Sequence, residues 1–356
     1  MTETGLPTRK RRSRLGLFAP FVLLALVAVG WSVAWFVIRG RTADAIDAWL
    51  DRERQAGRRW SCPDRSIGGY PFRIEVVCPS LAFERPDLTG SIGRIVAVAQ
   101  VYDPRHVIAE IEGPMRASDG RVTVEGAWRA SQASVRTTKD GFERASLAFE
   151  GPSFRVTGLP AELIASGRRF ESHVRPSPSR NASEAAYDWS ARAEGTKLPL
   201  LDEFVGGADP ADIGLDLTVT QAREAPLRSV PDVLERWREA GGKLDLINLS
   251  VAKGARRVEA RGEARLDELH RPTARIEASA AGLEELIGSL LGGGRSGGLG
   301  GLVGALAGQA LARRPAEPGG EPGKPALKPL PPVRLEAGRL YLGPIAVPGV
   351  RLQPLY

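Results

Sequence analysis

The stretch RRVEARGEARLD, residues 256–267, decides the fold class. Its side chains alternate between two kinds along the stretch. Small or apolar residues are Val258, Ala260, Gly262, Ala264 and Leu266, and the charged residues between them are Arg257, Glu259, Arg261, Glu263 and Arg265. Side chains two residues apart lie on the same side of a β-strand. The stretch therefore predicts a strand in a sheet that has one apolar face and one face in water.

Most of the chain beyond Trp60 has a similar character. Runs of β-branched and apolar residues are separated at short intervals by Gly, Pro or Asp, which is typical of strands joined by turns. Such runs occur at 73–83, 92–101, 107–111, 122–128, 215–220, 274–280 and 333–354. We therefore predict a mainly β protein of the α+β class, an elongated and curved antiparallel sheet with a few short helices.

The first forty residues differ from the rest. Five basic residues lie in the tail 1–14, and an uncharged apolar run follows at 15–38 before Arg39 and Arg41. A membrane-spanning helix needs roughly 20 apolar residues, whereas a cleavable signal has an apolar core of only about 7–15. The run at 15–38 therefore predicts a transmembrane anchor, with a cleaved secretory signal as the alternative.

The same basic residues predict the orientation of this anchor. The tail 1–14 has five basic residues and one acidic residue, and the positive-inside rule keeps such a tail in the cytoplasm. The chain beyond Arg41 then lies on the far side of the membrane, attached by a single pass.

The domain organisation follows from these patterns. A short amphipathic helix at 42–58 is expected after the anchor, with Thr42 as its cap and Gly57 at its end. The β-rich domain is expected at 59–291, a Gly- and Pro-rich linker or mobile excursion at 292–332, and a last β segment at 333–356. Short helices are expected at 231–240, 282–291 and 302–311. The length fits either two lobes or one elongated sheet.

The net charge of +7 belongs mainly to the N-terminus. Residues 1–41 hold seven basic residues and one acidic residue, which leaves 42 basic and 41 acidic residues for the remainder. Nucleic-acid binding needs a clustered basic face. The nearly neutral remainder therefore predicts no nucleic-acid partner.

The chain has two cysteines, Cys62 and Cys78, which enclose 15 residues. Outside the cytoplasm such a pair predicts a disulfide, which contributes about 3 kcal/mol to stability. A metal site or a nucleophilic cysteine is the alternative. A zinc site needs four ligands, however, and the three histidines, His106, His173 and His270, have no paired spacing. We predict no metal site and no cofactor.

No catalytic constellation is predicted either. The glycine tract at 292–298 matches GxGxxG and GxSxG. The first motif requires a strand before it, and the second requires a histidine further along the chain, where none follows His270. The sequence therefore predicts a protein that is not an enzyme.

Six short motifs occur in a fixed order: Trp60-Ser61-Cys62, GYPFRIEVVC at 69–78, AWRASQASV at 127–135, LERWREAGGKLDL at 234–246, GEARLD at 262–267 and GRLYLGPIAV at 338–347. Together with the anchor they resemble the bacterial membrane-anchored family labelled domain of unknown function 2125, over most of residues 15–356. That family is distantly similar to the AsmA-like proteins, which are β-rich, anchored in the inner membrane of Gram-negative bacteria and associated with outer-membrane lipid homeostasis. The resemblance implies an inner-membrane anchor and a periplasmic β-rich domain. It implies no catalytic residue.

Two functions remain open. In the first, the apolar face that includes Ala260 and Ala264 is a groove that binds or transfers phospholipid in envelope homeostasis. In the second, this face is a core packed against helices such as 231–240, and the protein is an anchored, non-enzymatic scaffold or interaction protein for envelope assembly. An exposed contiguous apolar patch of more than a few hundred Å² distinguishes the first from the second.

Overall fold

The architecture comes from a computed structural model, and the structure describes residues 15–199, 202, 207–222, 230–282 and 326–356. Three described helices are α1 (Leu15–Gln55), α2 (Asn181–Glu184) and α3 (Val230–Glu239). All other described elements are strands. The predicted mainly β fold with few helices is confirmed.

The strands of the first half are β1 (Arg59–Ser61), β2 (Ser66–Gly68), β3 (Arg73–Cys78), β4 (Leu81–Arg85), β5 (Leu88–Ile92), β6 (Ile95–Gln100), β7 (Asp103–Ile111), β8 (Met115–Ser118), β9 (Thr123–Ala127), β10 (Ala130–Thr138), β11 (Gly141–Glu150), β12 (Ser153–Thr157), β13 (Leu163–Ser166) and β14 (Arg169–Pro176). Those of the second half are β15 (Tyr187–Thr196), β16 (Ala211–Val219), β17 (Leu244–Lys253), β18 (Arg256–Leu266), β19 (Pro272–Ala281), β20 (Lys328–Pro329), β21 (Val333–Glu336), β22 (Arg339–Leu342) and β23 (Ile345–Arg351).

The described strands form two antiparallel sheets. The small sheet has seven strands in the order β1-β4-β5-β8-β9-β12-β13. The large sheet has sixteen, in the order β2-β3-β6-β7-β10-β11-β14-β15-β16-β17-β18-β19-β21-β22-β23, with β20 paired to β19. Neighbours in the second half of the large sheet mostly follow one another in sequence, so the chain runs there as a meander.

In the first half, the chain passes repeatedly from one sheet to the other. The predicted strand at 73–83 is broken at Pro79 and Ser80 into β3 of the large sheet and β4 of the small sheet. The predicted strand at 92–101 is broken in the same way at Gly93. A Cβ at Gly93 would lie 2.6 Å from the Glu112 carbonyl oxygen, so the chain can turn this corner only with glycine. Proline lacks the N–H that a ladder requires, which explains the break at Pro79.

Helix α1 is continuous where an anchor and a second helix at 42–58 were predicted. The Thr42 hydroxyl donates to the Ile38 carbonyl at 2.9 Å, which is a bond inside a helix and not a cap. Gly40 costs a helix only about 1 kcal/mol, so it does not stop one. The helix ends at Gln55, and Gly57 follows with a positive φ of 79°. The prediction that Gly57 marks the helix end is confirmed.

By length and composition, α1 could cross a membrane, either as an anchor or as a signal sequence. Its most apolar 18-residue window has a mean hydropathy of 2.5 and is hardly buried. The C-terminal part of α1 contacts both sheets at their edges. The Trp49 ring lies 5.9 Å from that of Trp60 in β1, and Arg39 Nε donates to the Ile67 carbonyl in β2 at 2.8 Å. An edge strand covered in this way is protected from pairing with another chain.

A disulfide links Cys62 with Cys78, as predicted, with their Cα atoms 5.7 Å apart. Cys62 follows β1 of the small sheet, and Cys78 ends β3 of the large sheet. The bridge therefore fastens the two sheets near α1.

The C-terminal segment belongs to the large sheet, because β21 pairs with β19. Residues 326–332, which were predicted to be linker, include β20, and β20 also pairs with β19. The predicted helix at 231–240 corresponds to α3. The helix at 302–311, nearly all of that at 282–291, and the linker at 292–325 lie outside the described residues.

Candidate functional site: an apolar face of the large sheet

The apolar character of β18 continues across its neighbours in the large sheet. Residues paired directly across antiparallel strands have side chains on the same face. One row of such pairs runs Ala145, Val174, Trp189, Leu217, Leu246, Gly262, Ile276 and Val333. The next row runs Leu147, Ser172, Ala191, Leu215, Leu249, Ala260 and Ala278, and a third runs Phe149, Phe170, Ala193, Ile213, Val251, Val258 and Ala280. Only one of these positions, Ser172, is polar.

The same rows extend into the first half of the sheet. Across β10, β7, β6 and β3 they continue through Ser131, Ala133 and Val135, then Val107, Ala109 and Ile111, then Ile95, Ala97 and Ala99, and end at Ile74, Val76 and Cys78. These residues and the three rows above form a surface that we call the apolar face. It crosses eleven adjacent strands, from β3 to β19, and Val333 extends the first row into β21.

The opposite face of the sheet is charged. Its Arg and acidic residues pair across strands: Arg169 Nη1 lies 2.8 Å from Glu150 Oε1, Arg192 Nη2 lies 2.8 Å from Asp216 Oδ2, and Arg261 Nε lies 3.5 Å from Glu277 Oε2. Each such exposed pair contributes little energy. Together they identify the side of the sheet that lies in water, which we call the polar face.

The apolar face is not a closed core. Val107, Val135 and Trp189 are 39–43% exposed, and most of its other large side chains are half-buried. Among the described helices, only α1 packs extensively on strands, and it does so at β1 and β2. Helix α3 lies at the end of β16, where Trp237 Nε1 donates to the Thr220 carbonyl at 2.7 Å. The described part of the chain therefore supplies no helical layer over β18, which the core hypothesis assigned to helix 231–240.

All five candidate residues of β18 lie in one regular strand, with Ala260 buried on the apolar face. Gly262 is constrained by its neighbour, because a Cβ there would lie 2.2 Å from the Arg275 carbonyl oxygen. Ala264 pairs with Ala274, and Leu266 pairs with Pro272, so both continue the apolar face towards one end of β18. The small side chains of Ala260 and Ala264, and Gly262 without one, project less from the sheet than Leu or Val would.

The two sheets meet at an aromatic corner. The Trp128 ring lies 4.9 Å from that of Phe149 in the large sheet and 6.5 Å from that of Phe154 in the small sheet. Trp128 Nε1 also donates to the Ile111 carbonyl at 2.7 Å. At this corner, apolar side chains of one sheet are covered by those of the other.

Four titratable side chains form a cluster at α3: Glu235, Arg238, His270 and Tyr356. Glu235 of α3 accepts hydrogen bonds from Arg238 (2.5 Å) and from the Tyr356 hydroxyl (2.8 Å). These two bonds, that of Arg238 first, lower the pKa of Glu235 to about 2. Burial and the bond to Glu235 raise the pKa of Tyr356. The His270 ring stacks on that of Tyr356 at 4.5 Å, so the cluster holds residue 356 against α3 and the β18–β19 turn.

The histidines are not brought together. His106 bonds to Ser134 and His173 bonds to Ser146, on the polar face, whereas His270 belongs to the cluster at Tyr356. Among the described residues, no group of three or more His, Cys, Asp or Glu side chains could hold a metal ion. The most extended feature among the described strands is the apolar face.

Comparison with known proteins adds a family and no activity. A family model described as an uncharacterised protein conserved in bacteria (DUF2125) matches residues 35–350. Comparison with curated proteins found no match, and neither did comparison with solved structures. The family resemblance drawn from the motifs is confirmed. The more distant similarity to AsmA-like proteins stays a prediction.

Proposed function

The chain belongs to the DUF2125 family, and from its geometry we propose that it is an inner-membrane-anchored periplasmic protein that binds phospholipid. In this proposal α1 is the anchor, with the N-terminus in the cytoplasm. The apolar face holds the acyl chains, for storage or transfer of lipid within the envelope.

Contacts of α1 support an anchor over a cleaved signal. Trp35 is buried, and its Nε1 donates to the Arg73 carbonyl at 2.9 Å. The same helix continues to Gln55 and covers the edge strands of both sheets. Cleavage within the helix would remove this cover from the folded domain. The Cys62–Cys78 disulfide is consistent with an oxidising compartment on the far side of the membrane.

The observation that best supports lipid binding is the continuity of the apolar face across adjacent strands. With strands about 4.8 Å apart, eleven strands span about 48 Å, and three rows along each strand cover about 13 Å. The resulting plan area is roughly 650 Å². Exposed side chains such as Val135 and Trp189 and buried ones such as Leu217 and Ala280 both lie within it. Half-buried aliphatic and aromatic side chains suit acyl chains, and the paired charges of the polar face keep the other side in water.

A photoactivatable phospholipid tests the proposal. The full chain is reconstituted into vesicles that contain a phospholipid with a diazirine in its acyl chain, and the labelled peptides are mapped after irradiation. We expect adducts on α1, which serve as the internal positive control, and also on apolar-face residues of β14 to β19. Adducts on α1 without any on those strands would contradict lipid binding.

A scaffold is the alternative function, and the same experiment separates the two. If the apolar face is covered by another protein in the envelope, irradiation leaves these strands free of lipid. An apolar-face photo-crosslinker in cells would then give a protein adduct in place of a lipid adduct.

A further inference from the structure

We propose that the tips of the β2–β3 and β6–β7 hairpins form a second membrane contact, seated beside α1 in the interface of the outward-facing leaflet. This proposal rests on the membrane anchoring by α1 proposed above. It places one end of the apolar face at the bilayer, where a lipid can pass between the leaflet and the protein.

Three hydrogen bonds join α1 to the β2–β3 tip. They run from Trp31 Nε1 to the Pro71 carbonyl (2.8 Å), between Ser32 Oγ and the Tyr70 hydroxyl (2.8 Å), and from Trp35 Nε1 to the Arg73 carbonyl (2.9 Å). Ring contacts accompany them. The Tyr70 ring lies 5.4 Å from that of Trp35, and the Phe72 ring lies 6.2 Å from that of Trp31. The tip is therefore fixed to two successive turns of the helix.

Helix geometry gives the depth of this tip. A hydrocarbon core of about 30 Å is crossed by about 20 residues at a rise of 1.5 Å. Counted from Leu15, the crossing ends near residue 34, so Trp31 and Trp35 lie on either side of the outer boundary. Trp and Tyr are the residues enriched at such boundaries. Because the tip is bonded to both tryptophans, it lies at the same depth.

The aromatic side chains of the two tips are exposed in the protein alone. Tyr70 is 54% exposed, Phe72 is 61% exposed and Tyr102, in the β6–β7 turn, is 74% exposed. The Val101 N–H donates to the Phe72 carbonyl at 3.0 Å, which holds the two tips side by side. Tyr70 and Tyr102 each have an apolar ring and a polar hydroxyl, which suits the boundary between hydrocarbon and headgroups, and the Phe72 ring suits the hydrocarbon beside it.

The tips are continuous with the apolar face. Phe72 precedes Ile74 by two residues, and Ile74 pairs with Ala99, which pairs with Val107 of β7. These three residues form the end of the apolar face nearest to the tips. Arg39 and Arg41 follow the boundary on α1 and supply positive charge at the level of the lipid phosphates.

An introduced cysteine tests the position of the tips. The native cysteines are joined in a disulfide, so a single added thiol can be labelled selectively. Tyr102→Cys in the full chain is labelled with a polarity-sensitive fluorophore and reconstituted into phosphatidylethanolamine–phosphatidylglycerol vesicles. We expect blue-shifted emission and strong quenching by lipids that carry a nitroxide near the headgroup. The matched control is Leu159→Cys in the β12–β13 turn of the small sheet, which should emit as in water and remain unquenched.

Water-like, unquenched emission from position 102 would overturn the proposal. A third label, Leu26→Cys in α1, makes the result interpretable, because it reports on the anchor alone. A quenched label at 26 with an unquenched label at 102 contradicts the second contact and leaves the anchor intact. A label in lipid at 102, together with no photoactivated adducts on β14 to β19, supports the contact and contradicts lipid binding on the apolar face. Unquenched labels at both positions contradict the anchor and the contact together.

A paired variant tests lipid entry. Phe72→Ser combined with Tyr102→Ser should reduce several-fold the labelling of β14 to β19 by bilayer-borne photoactivatable lipid, while adducts on α1 stay unchanged. The conservative pair Phe72→Tyr with Tyr102→Phe should retain wild-type labelling. Equal labelling of all three proteins would contradict a role of the tips in entry.

Discussion

The two faces of the large sheet differ in how many of their side chains are paired or covered by other parts of the protein. On the polar face, charges on adjacent strands pair with one another, as Arg192 does with Asp216. On the apolar face, half-buried rows of Val, Leu, Ile and Ala run across eleven strands without a described helix over them. The polar face is paired within the protein, whereas the described residues leave much of the apolar face half-buried or exposed.

At the aromatic corner, the apolar surface is covered by other side chains of the same protein. There the rings of Trp128, Phe149 and Phe154 cover one another where the two sheets meet. On β15, by contrast, Trp189 belongs to the same apolar face and is 39% exposed. The same kind of surface is thus closed at one place and accessible at another.

The largest effect is expected from a charge on the apolar face. Ala260→Glu places a carboxylate without a partner at a buried position between the half-buried Leu249 and Ala278, which should lower the free energy of unfolding by about 3 kcal/mol or more. The matched control is Glu263→Gln on the polar face of the same strand, which should change it by less than about 0.5 kcal/mol. Denaturant titration of the full chain in detergent measures both. Equal effects of the two substitutions would remove the distinction between the faces.

The disulfide should come next. It fastens the small sheet to the large sheet where the apolar face begins, and its loss through Cys62→Ser with Cys78→Ser should cost about 3 kcal/mol. Wild-type protein unfolded in the presence of a reductant should approach the stability of the double variant. An unfolding midpoint that does not respond to reductant would show that the bridge contributes nothing.

A smaller loss of stability is expected from Trp→Phe substitutions, which compare the aromatic corner with the exposed part of the apolar face. Trp128→Phe removes a hydrogen bond to the Ile111 carbonyl inside the corner, which should cost about 1 kcal/mol. Trp189→Phe removes a bond to the Ser172 hydroxyl at an exposed ring, and the cost should be smaller. Chemical denaturation of the two variants provides the comparison. A larger loss at Trp189 would mean that its ring is covered in the folded protein.

The smallest effect on stability is expected from the Glu235 carboxylate, and it should depend on pH. The pKa of Glu235 falls from 4.5 to about 2 on folding, so the ionised carboxylate stabilises the folded state above pH 4.5. That contribution should disappear as the pH falls from 4.5 towards 2. The stability difference between wild type and Glu235→Gln, measured by denaturant titration at successive pH values, should shrink over this range. A difference that stays constant down to pH 2 would contradict the lowered pKa.

Local patterns were sufficient for individual elements. The alternation in RRVEARGEARLD predicted β18 because each residue there has the polarity of its face. The continuity of the apolar face depends on the register between strands, which a single sequence does not reveal. The break at Pro79 was missed because apolar residues continue on both sides of it. Thr42 was assigned as a cap because threonine can bond either as a cap or to the carbonyl four residues earlier.

One residue shows why distant partners escape sequence analysis. Lys253, the last residue of β17 and directly before Gly254, has the local sequence of an exposed turn lysine, yet its side chain is fully buried. Its Nζ lies 2.5 Å from Oδ1 of Asp202, 51 residues earlier in the chain, and also donates to the Asp209 carbonyl. Burial of this lysine depends on that long-range pairing.

A photo-crosslinking amino acid at two adjacent positions of β17 tests the central claim most directly. Leu249 lies on the apolar face and Asn248 on the polar face, so the two sites share their strand and differ in the face. The crosslinker is introduced in place of each residue in the full chain, and the protein is irradiated in its native membrane and analysed by mass spectrometry. The account predicts a phospholipid adduct at position 249 and none at position 248. A crosslinker at Leu26 in α1 that captures lipid, while position 249 captures none, would contradict it.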